Sequence, residues 1–135
     1  MPLTRSTTAV PTLRLTLWEP AESRIQSSFI EWLRWREHSL PVLKLGFSIP
    51  NGGGRDIRVA ARMKAEGTRR GVPDWHLPVA RGGFCGLWIE FKKPSGVMSV
   101  EQRDYIGLLK AEGHRVEVCR SPDDAINAVK NYLGG

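Results

Sequence analysis

The chain has 135 residues, of which 41% are hydrophobic and 25% are charged, a composition that excludes a disordered chain and fits one compact domain. No apolar run approaches the ~20 residues of a membrane span, and the two cysteines make neither a disulfide framework nor a zinc site. We therefore expect a soluble protein in a reducing cytoplasm. Lys and Arg number 20 against 14 Asp and Glu, which gives a net charge of +6. Such a charge is expected of nucleic-acid-binding proteins, and it also occurs in basic proteins that have no polyanionic partner.

The first 18 residues are predicted to be an N-terminal extension or arm, followed by one domain over residues 19–135. Within the extension, Leu13, Leu15 and Leu17 alternate with polar residues. This alternation predicts a short strand. We expect it to be an edge strand or an arm that packs on a second subunit.

Hydrophobic periodicity and turn residues predict an α/β fold in the rest of the chain. The elements follow in the order helix 20–37, strand 42–49, helix 55–66, a short strand that begins with Pro73-Asp74, strand 84–92, helix 100–111, strand 115–119 and a last helix from residue 121. Ser99 is the predicted N-cap of the helix at 100–111. The strands on either side of that helix are expected to be parallel, in a right-handed βαβ unit. The two strands before it are expected to form a hairpin in a mixed β-sheet flanked by helices.

The strand that ends at Lys92 carries two charged residues on one face. Glu90 and Lys92 are two positions apart, and side chains alternate between the faces of a strand. One explanation is an exposed ion pair, worth about 0–1 kcal/mol. The other is a metal ligand beside a catalytic lysine.

The neighbouring strand begins with Pro73-Asp74, and a hairpin would bring Asp74 beside Glu90. Two carboxylates at that distance repel each other unless a cation lies between them. Mg²⁺ suits such a site because it takes one or two carboxylates and keeps several waters. One of these waters can attack a phosphodiester, while Lys92 lowers its pKa or stabilises the charge that develops on the phosphate.

These residues carry a resemblance to a known superfamily of nucleases. Pro73-Asp74 followed by Glu90-Phe91-Lys92 is similar to the PD-(D/E)xK motif. Over residues 19 to 133 the chain resembles the VRR-NUC branch of that superfamily. The flanking segments that carry this likeness are Gly71-Val72, Gly96, Ser99, Glu101-Gln102, Gly113-His114-Arg115-Val116, Ser121-Pro122-Asp123-Asp124-Ala125, and Glu22 with Gln26 in the first helix. The valine-arginine-arginine run that names the branch does not occur in the matching region.

The resemblance implies a restriction-endonuclease-like core and an endonuclease that depends on Mg²⁺ or Mn²⁺. It implies that Asp74, Glu90 and the backbone carbonyl of Phe91 bind the metal. It also implies that Lys92 is the catalytic lysine.

Two further residues match supporting positions of the family. Gln102 matches a glutamine that supports the active site, and Glu22 matches a first-helix acid that can reach the metal or its water. The alternative for Gln102 is a solvated helix residue. The alternative for Glu22 is an acid that interacts with the helix dipole.

The remaining candidates concern the substrate. His76 lies two residues after Asp74, on the same strand face, where it is a candidate for substrate contact. A cluster of cations near the catalytic strand forms either a solvated helix face or a set of phosphate contacts. Beside a nuclease centre we favour phosphate contacts, which position DNA without reading its sequence. The cluster comprises Arg55, Arg62, Lys64, Arg69, Arg70 and Lys93.

Members of the branch that consist of this domain alone resemble phage or bacterial homodimers that cut branched DNA such as Holliday junctions. The resemblance therefore implies a homodimer that acts on DNA in the cytoplasm of a bacterial or phage-infected cell. The leucine arm and the tryptophan-rich first helix, with Trp32 and Trp35, are the candidate dimer surface. Two alternatives stay open: a non-catalytic DNA-binding module of the same fold, and a sequence-specific, restriction-type nuclease.

Overall fold

The computed structural model describes residues 19–50 and 56–134, so the leucine arm and Arg55 lie outside the described residues. Within these ranges the predicted order of helices and strands is confirmed. The elements are α1 (Glu22–Arg36), β1 (Phe47–Ser48), α2 (Ile57–Ala65), β2 (Trp75–Leu77), β3 (Leu87–Phe91), α3 (Val100–Ala111), β4 (Arg115–Cys119) and α4 (Pro122–Tyr132).

The strands form one mixed sheet in the order β1-β2-β3-β4. The strands β1, β2 and β3 pair antiparallel, whereas β3 and β4 pair parallel across the α3 connection. Both the predicted hairpin and the predicted parallel pair are confirmed. None of the helices in the described part of the chain is long and apolar enough to cross a membrane.

The prediction of a strand over residues 42–49 is wrong in its first half. Pro41–Leu45 forms a 3₁₀ helix, and regular pairing is confined to Phe47–Ser48. Proline at the first helical position has a φ angle already suited to a helical turn, which favours this start. Only Leu43 of the five 3₁₀ residues is buried, so the stretch does not need the alternating burial of a strand.

The strand predicted from residue 84 begins later than expected. Phe84 pairs only with Arg81, in an isolated bridge, and the regular strand begins at Leu87. The helix predicted from residue 55 likewise begins at Ile57, because the side chain of Asp56 caps it by accepting a hydrogen bond from the backbone N–H of Arg58 at 2.8 Å.

The hydrophobic core lies between one face of the sheet and the two helices α1 and α4. Phe29 of α1 meets Trp75 of β2 edge-on, with ring centroids 5.0 Å apart, and Phe91 of β3 at 5.6 Å. Leu87 and Ile89 also belong to this core. The intervening residues of β3 therefore point to the opposite face, which α3 partly covers.

Candidate active site

Asp74 is held beside β3 by hydrogen bonds from both its backbone and its side chain. Its N–H donates to the carbonyl of Ile89 at 2.9 Å. Its Oδ2 accepts a hydrogen bond from the N–H of Phe91 at 2.8 Å. Because β2 and β3 are paired with Trp75 opposite Ile89, this arrangement brings Asp74 to the position across from Glu90.

Position 71, in the loop before Asp74, can be occupied only by glycine. Gly71 has a φ of +86°, a conformation that side-chain-bearing residues rarely adopt. A Cβ atom there would also collide with the carbonyl oxygen of Glu101 in the first turn of α3. The Gly71 backbone thus packs closely against α3, which fixes the approach of the chain to Asp74.

Glu90 is a buried carboxylate with two different oxygen environments. Its residue exposure is 2%. Its Oε2 accepts a hydrogen bond from Gln102 Nε2 at 2.9 Å and lies 4.0 Å from Lys92 Nζ. Its Oε1 is buried without a hydrogen-bond partner. Such an atom is costly to bury unless a cation or a donor joins it.

The surroundings of Glu90 favour its protonated form. Burial is the largest cause, and the negative charge of Asp74 adds to it, so that the pKa of Glu90 is raised to about 8. The ammonium of Lys92 opposes this shift in pKa without cancelling it. A positive charge between the two carboxylates would favour the ionised form of Glu90.

Gln102 is oriented by the capping box that begins α3. The side chain of Ser99 accepts a hydrogen bond from the Gln102 N–H at 3.1 Å, and Gln102 Oε1 accepts one from the Ser99 N–H at 2.9 Å. Because Gln102 Oε1 accepts this hydrogen bond from Ser99, Gln102 Nε2 points at Glu90. Ser99 was predicted to be a cap, but its role in orienting Gln102 was missed, although Ser-x-x-Gln spacing is the signal of a capping box.

Lys92 extends the β3–β4 pairing by one residue. Its N–H donates to the carbonyl of Cys119 at 3.0 Å. Its residue exposure is 8%, which is low for a lysine. The backbone pairing and the burial together hold its ammonium on the Glu90 side of the sheet.

A cleft of about 1330 Å³ opens beside these residues. The acids Asp74 and Glu90 lie on its lining, together with three predicted DNA-binding cations: Lys64, Arg69 and Arg70. The cleft is thus lined by acids and by cations. Arg62 and Lys93, also predicted to bind DNA, are exposed but do not line it.

Glu22 lies on the wall of the same cleft. Its Oε2 accepts a hydrogen bond from the backbone N–H of Lys93 at 3.4 Å. No group of three or more His, Cys, Asp or Glu side chains among residues 19–50 and 56–134 is arranged to hold a metal. A metal here would therefore take its ligands from two carboxylates, from backbone and from water.

His76 belongs to an aromatic cluster on the same face of the sheet. Its ring stacks on Trp88 with centroids 3.8 Å apart, and its Nδ1 is 3.0 Å from the carbonyl oxygen of Leu87. The indole N–H of Trp88 donates to His114 Nδ1 at 3.1 Å. Burial lowers the pKa of His76. These contacts give the ring a packing role, and His76 is not on the lining of the cleft.

The chain is similar to known proteins in both sequence and fold. A family model for the VRR-NUC domain matches residues 20–123. A solved structure described as a "VRR_NUC domain protein" superposes with a TM-score of 0.70 at 25% sequence identity, covering 86% of this chain and 90% of that chain. No curated protein matches the chain significantly.

The raised pKa of Glu90 predicts that the metal-free protein loses stability as pH rises. The folded state keeps a proton up to a pKa of about 8, whereas the unfolded chain releases it near 4.5. Between these values the folded state binds more protons, so the free energy of unfolding falls with increasing pH. Urea unfolding in EDTA across this interval should show a loss on the order of a few kcal/mol.

Glu90→Gln removes the titrating group and should flatten this dependence. Glu31→Gln, at an exposed position on α1, is the matched control and should keep the wild-type slope. A wild-type profile parallel to that of Glu90→Gln would contradict the assignment of the slope to Glu90.

Proposed function

Because the chain belongs to the VRR-NUC domain family, a family of nucleases, we propose that it is an endodeoxyribonuclease that uses Mg²⁺ or Mn²⁺ to hydrolyse phosphodiester bonds in DNA. The observation that carries this proposal is the buried Glu90 carboxylate beside Asp74. One Glu90 oxygen is held by Gln102 and the other has no hydrogen-bond partner. Both acids lie on a cleft that is also lined by cations suited to phosphate.

The residues at this site fit a hard dication. Carboxylate oxygens are the ligands that Mg²⁺ prefers, and Mg²⁺ commonly keeps several waters. Asp74, Glu90 and the carbonyl of Phe91 would hold the ion, and Glu22 on the cleft wall would reach one of its waters. A bound dication supplies polarisation of the phosphodiester and favours deprotonation of an attacking water.

Lys92 would stabilise the charge that develops on the phosphate. Its ammonium is buried and lies 4.0 Å from Glu90 Oε2, so it is already oriented before the substrate binds. A preorganised charge in a poorly hydrated site acts strongly on a transition state because it does not need to reorient. Gln102 supports the same site by holding Glu90 Oε2, which leaves Oε1 for the ion.

The cations on the cleft would hold the DNA backbone. Arg69 and Arg70 follow α2, and Lys64 lies on it, all on the lining shared with the acids. Phosphate contacts of this kind fix the position of a duplex and carry no sequence information. They support a nuclease that selects DNA by shape over one that reads a short motif.

We extend the proposal to branched DNA and to a homodimer with two-fold symmetry. Two sites related by such an axis can make paired cuts on opposite strands, as a four-way junction requires. On α1, Trp35 is 71% exposed, whereas Trp32 packs against the core. Trp35 is therefore the tryptophan available for a subunit contact.

Light scattering at micromolar concentration should give a dimer mass, and a monomer would count against this extension.

The nuclease proposal predicts cleavage that depends on both the metal and Lys92. With Mg²⁺ or Mn²⁺ the wild-type chain should cut labelled DNA, fastest on four-way junctions when compared with flaps and linear duplexes, and EDTA should stop it. Lys92→Ala should slow cleavage roughly 100- to 1000-fold, because it removes one preorganised stabilising charge. Binding of the same DNA by gel shift should persist.

Lys110→Ala, at an exposed position in the last turn of α3, is the control and should cut at the wild-type rate. Wild-type protein that binds every substrate and cuts none would indicate the non-catalytic binding module. Cuts at one short motif in unrelated DNAs would indicate the restriction-type enzyme.

The basic lining predicts a salt-dependent affinity. Arg69→Gln with Arg70→Gln should weaken DNA binding and lower the slope of log K against log salt by about 1 for each phosphate that the variant no longer neutralises. Lys130→Gln, on the exposed surface of α4 across the sheet from the cleft, should leave the slope unchanged. Fluorescence anisotropy over a salt series measures both. Equal slopes for all three proteins would show that DNA does not lie in this cleft.

A further inference from the structure

The turn that follows Lys92, at residues 93–96, is hydrogen-bonded to one arginine side chain. Arg120 Nη1 donates hydrogen bonds to the carbonyl oxygens of Lys93 at 3.0 Å, Pro94 at 3.2 Å and Gly96 at 2.8 Å. Inside the turn, the Gly96 N–H donates to the Lys93 carbonyl at 2.9 Å. Three carbonyl dipoles that converge on one point repel each other unless a positive group lies there.

The same turn also donates hydrogen bonds to two carboxylates near the start of α1. Glu19 accepts hydrogen bonds from the backbone N–H and the hydroxyl of Ser95, at 2.8 Å and 2.5 Å. Glu22 accepts one from the Lys93 N–H at 3.4 Å. The turn thus presents carbonyls to a cation and N–H groups to anions, and charge-assisted hydrogen bonds are stronger than neutral ones.

Arg120 is placed where the chain leaves the sheet. It directly follows Cys119, whose carbonyl accepts the hydrogen bond from Lys92 N–H. The turn then leads to Ser99 and so to Gln102. Lys92 and Gln102, at the two ends of this connection, both approach the same oxygen of Glu90, at 4.0 Å and 2.9 Å.

We propose that Arg120 is a positioning residue of the active site, which acts through the turn at 93–96 on Lys92 and Gln102. The proposal rests on the proposed nuclease function, because it assigns Arg120 to the same site. Without the guanidinium, three carbonyls lose their hydrogen-bond donor and the turn changes its conformation. That change displaces Lys92 Nζ and Gln102 Nε2 from their positions near Glu90 Oε2. A displacement of about 1 Å in groups that must be aligned can slow a reaction about 100-fold.

The test compares Arg120→Ala and Arg120→Lys with the wild-type chain and with Arg81→Ala. Arg81 also donates to a backbone carbonyl, that of Ala80 at 2.8 Å, but it lies at the far end of the β2–β3 hairpin from Asp74. Each protein is assayed for kcat and KM on DNA and for amide hydrogen exchange of residues 93–98. Arg120→Ala is also assayed with millimolar guanidinium, against urea and sodium chloride as controls.

We expect kcat of Arg120→Ala to fall by about tenfold to 100-fold with KM within about twofold of wild type. Exchange should quicken at 93–98 and stay unchanged in β3. Guanidinium should restore part of kcat, and Arg120→Lys should be intermediate because an ammonium lacks the planar set of donors. Arg81→Ala should match the wild type.

Normal kcat in Arg120→Ala overturns the positioning role, whether or not exchange quickens, because the contacts would then serve only the fold. A fall in kcat with no change in exchange at 93–98 overturns it as well, since the turn would not transmit the effect. A wild-type chain that cuts no DNA overturns the proposed function first, and the role of Arg120 with it.

Discussion

Two carboxylates close together at one end of a hairpin are the constraint on which the rest of this structure depends. Glu90 is buried and Asp74 faces it across the β2–β3 pair. Burial and like charge both act against ionisation of Glu90, and its pKa is raised to about 8. An arrangement of this kind costs stability in the absence of a cation, so its presence in a well-packed fold indicates that the site serves a function.

The fold tolerates this unfavourable site because one face of the sheet carries the hydrophobic core and the other carries the site. The helices α1 and α4 bury their apolar residues on one face, around Phe29, Trp75 and Phe91. On the other face lie the two acids Asp74 and Glu90, Lys92 and the first turn of α3. The two acids are each held by a neighbouring group, Asp74 by the Phe91 N–H and Glu90 by the Gln102 amide. Rigid elements thus hold charges that would otherwise move apart.

The local parts of the structure could be predicted from the sequence because their signals are local. The alternation in β3 placed Glu90 and Lys92 on one face, and Ser99 marked the start of α3 correctly. The stretch at 42–49 was mistaken for a strand because short apolar runs fit a strand and a helical turn equally well. Pro41 decided the outcome there.

Contacts between distant parts of the chain could not be predicted in the same way. The hydrogen bonds from Arg120 to the carbonyls at 93–96, and from Ser95 to Glu19, join segments that no spacing rule connects. An arginine after a strand has no pattern that shows which carbonyls it will meet. The stacking of His76 on Trp88 likewise joins two different strands, and no local spacing in the sequence indicates it.

We propose that Asp74 and Glu90 together bind a dication that takes the place of a proton. Calorimetric titration of the metal-free protein with Mn²⁺, near neutral pH and in buffers of different ionisation enthalpy, tests it most directly. Since the pKa of Glu90 is about 8 in the metal-free protein, binding should release about one proton per ion, and Asp74→Asn or Glu90→Gln should abolish binding. Binding without proton release, or unchanged binding in both variants, would contradict the claim.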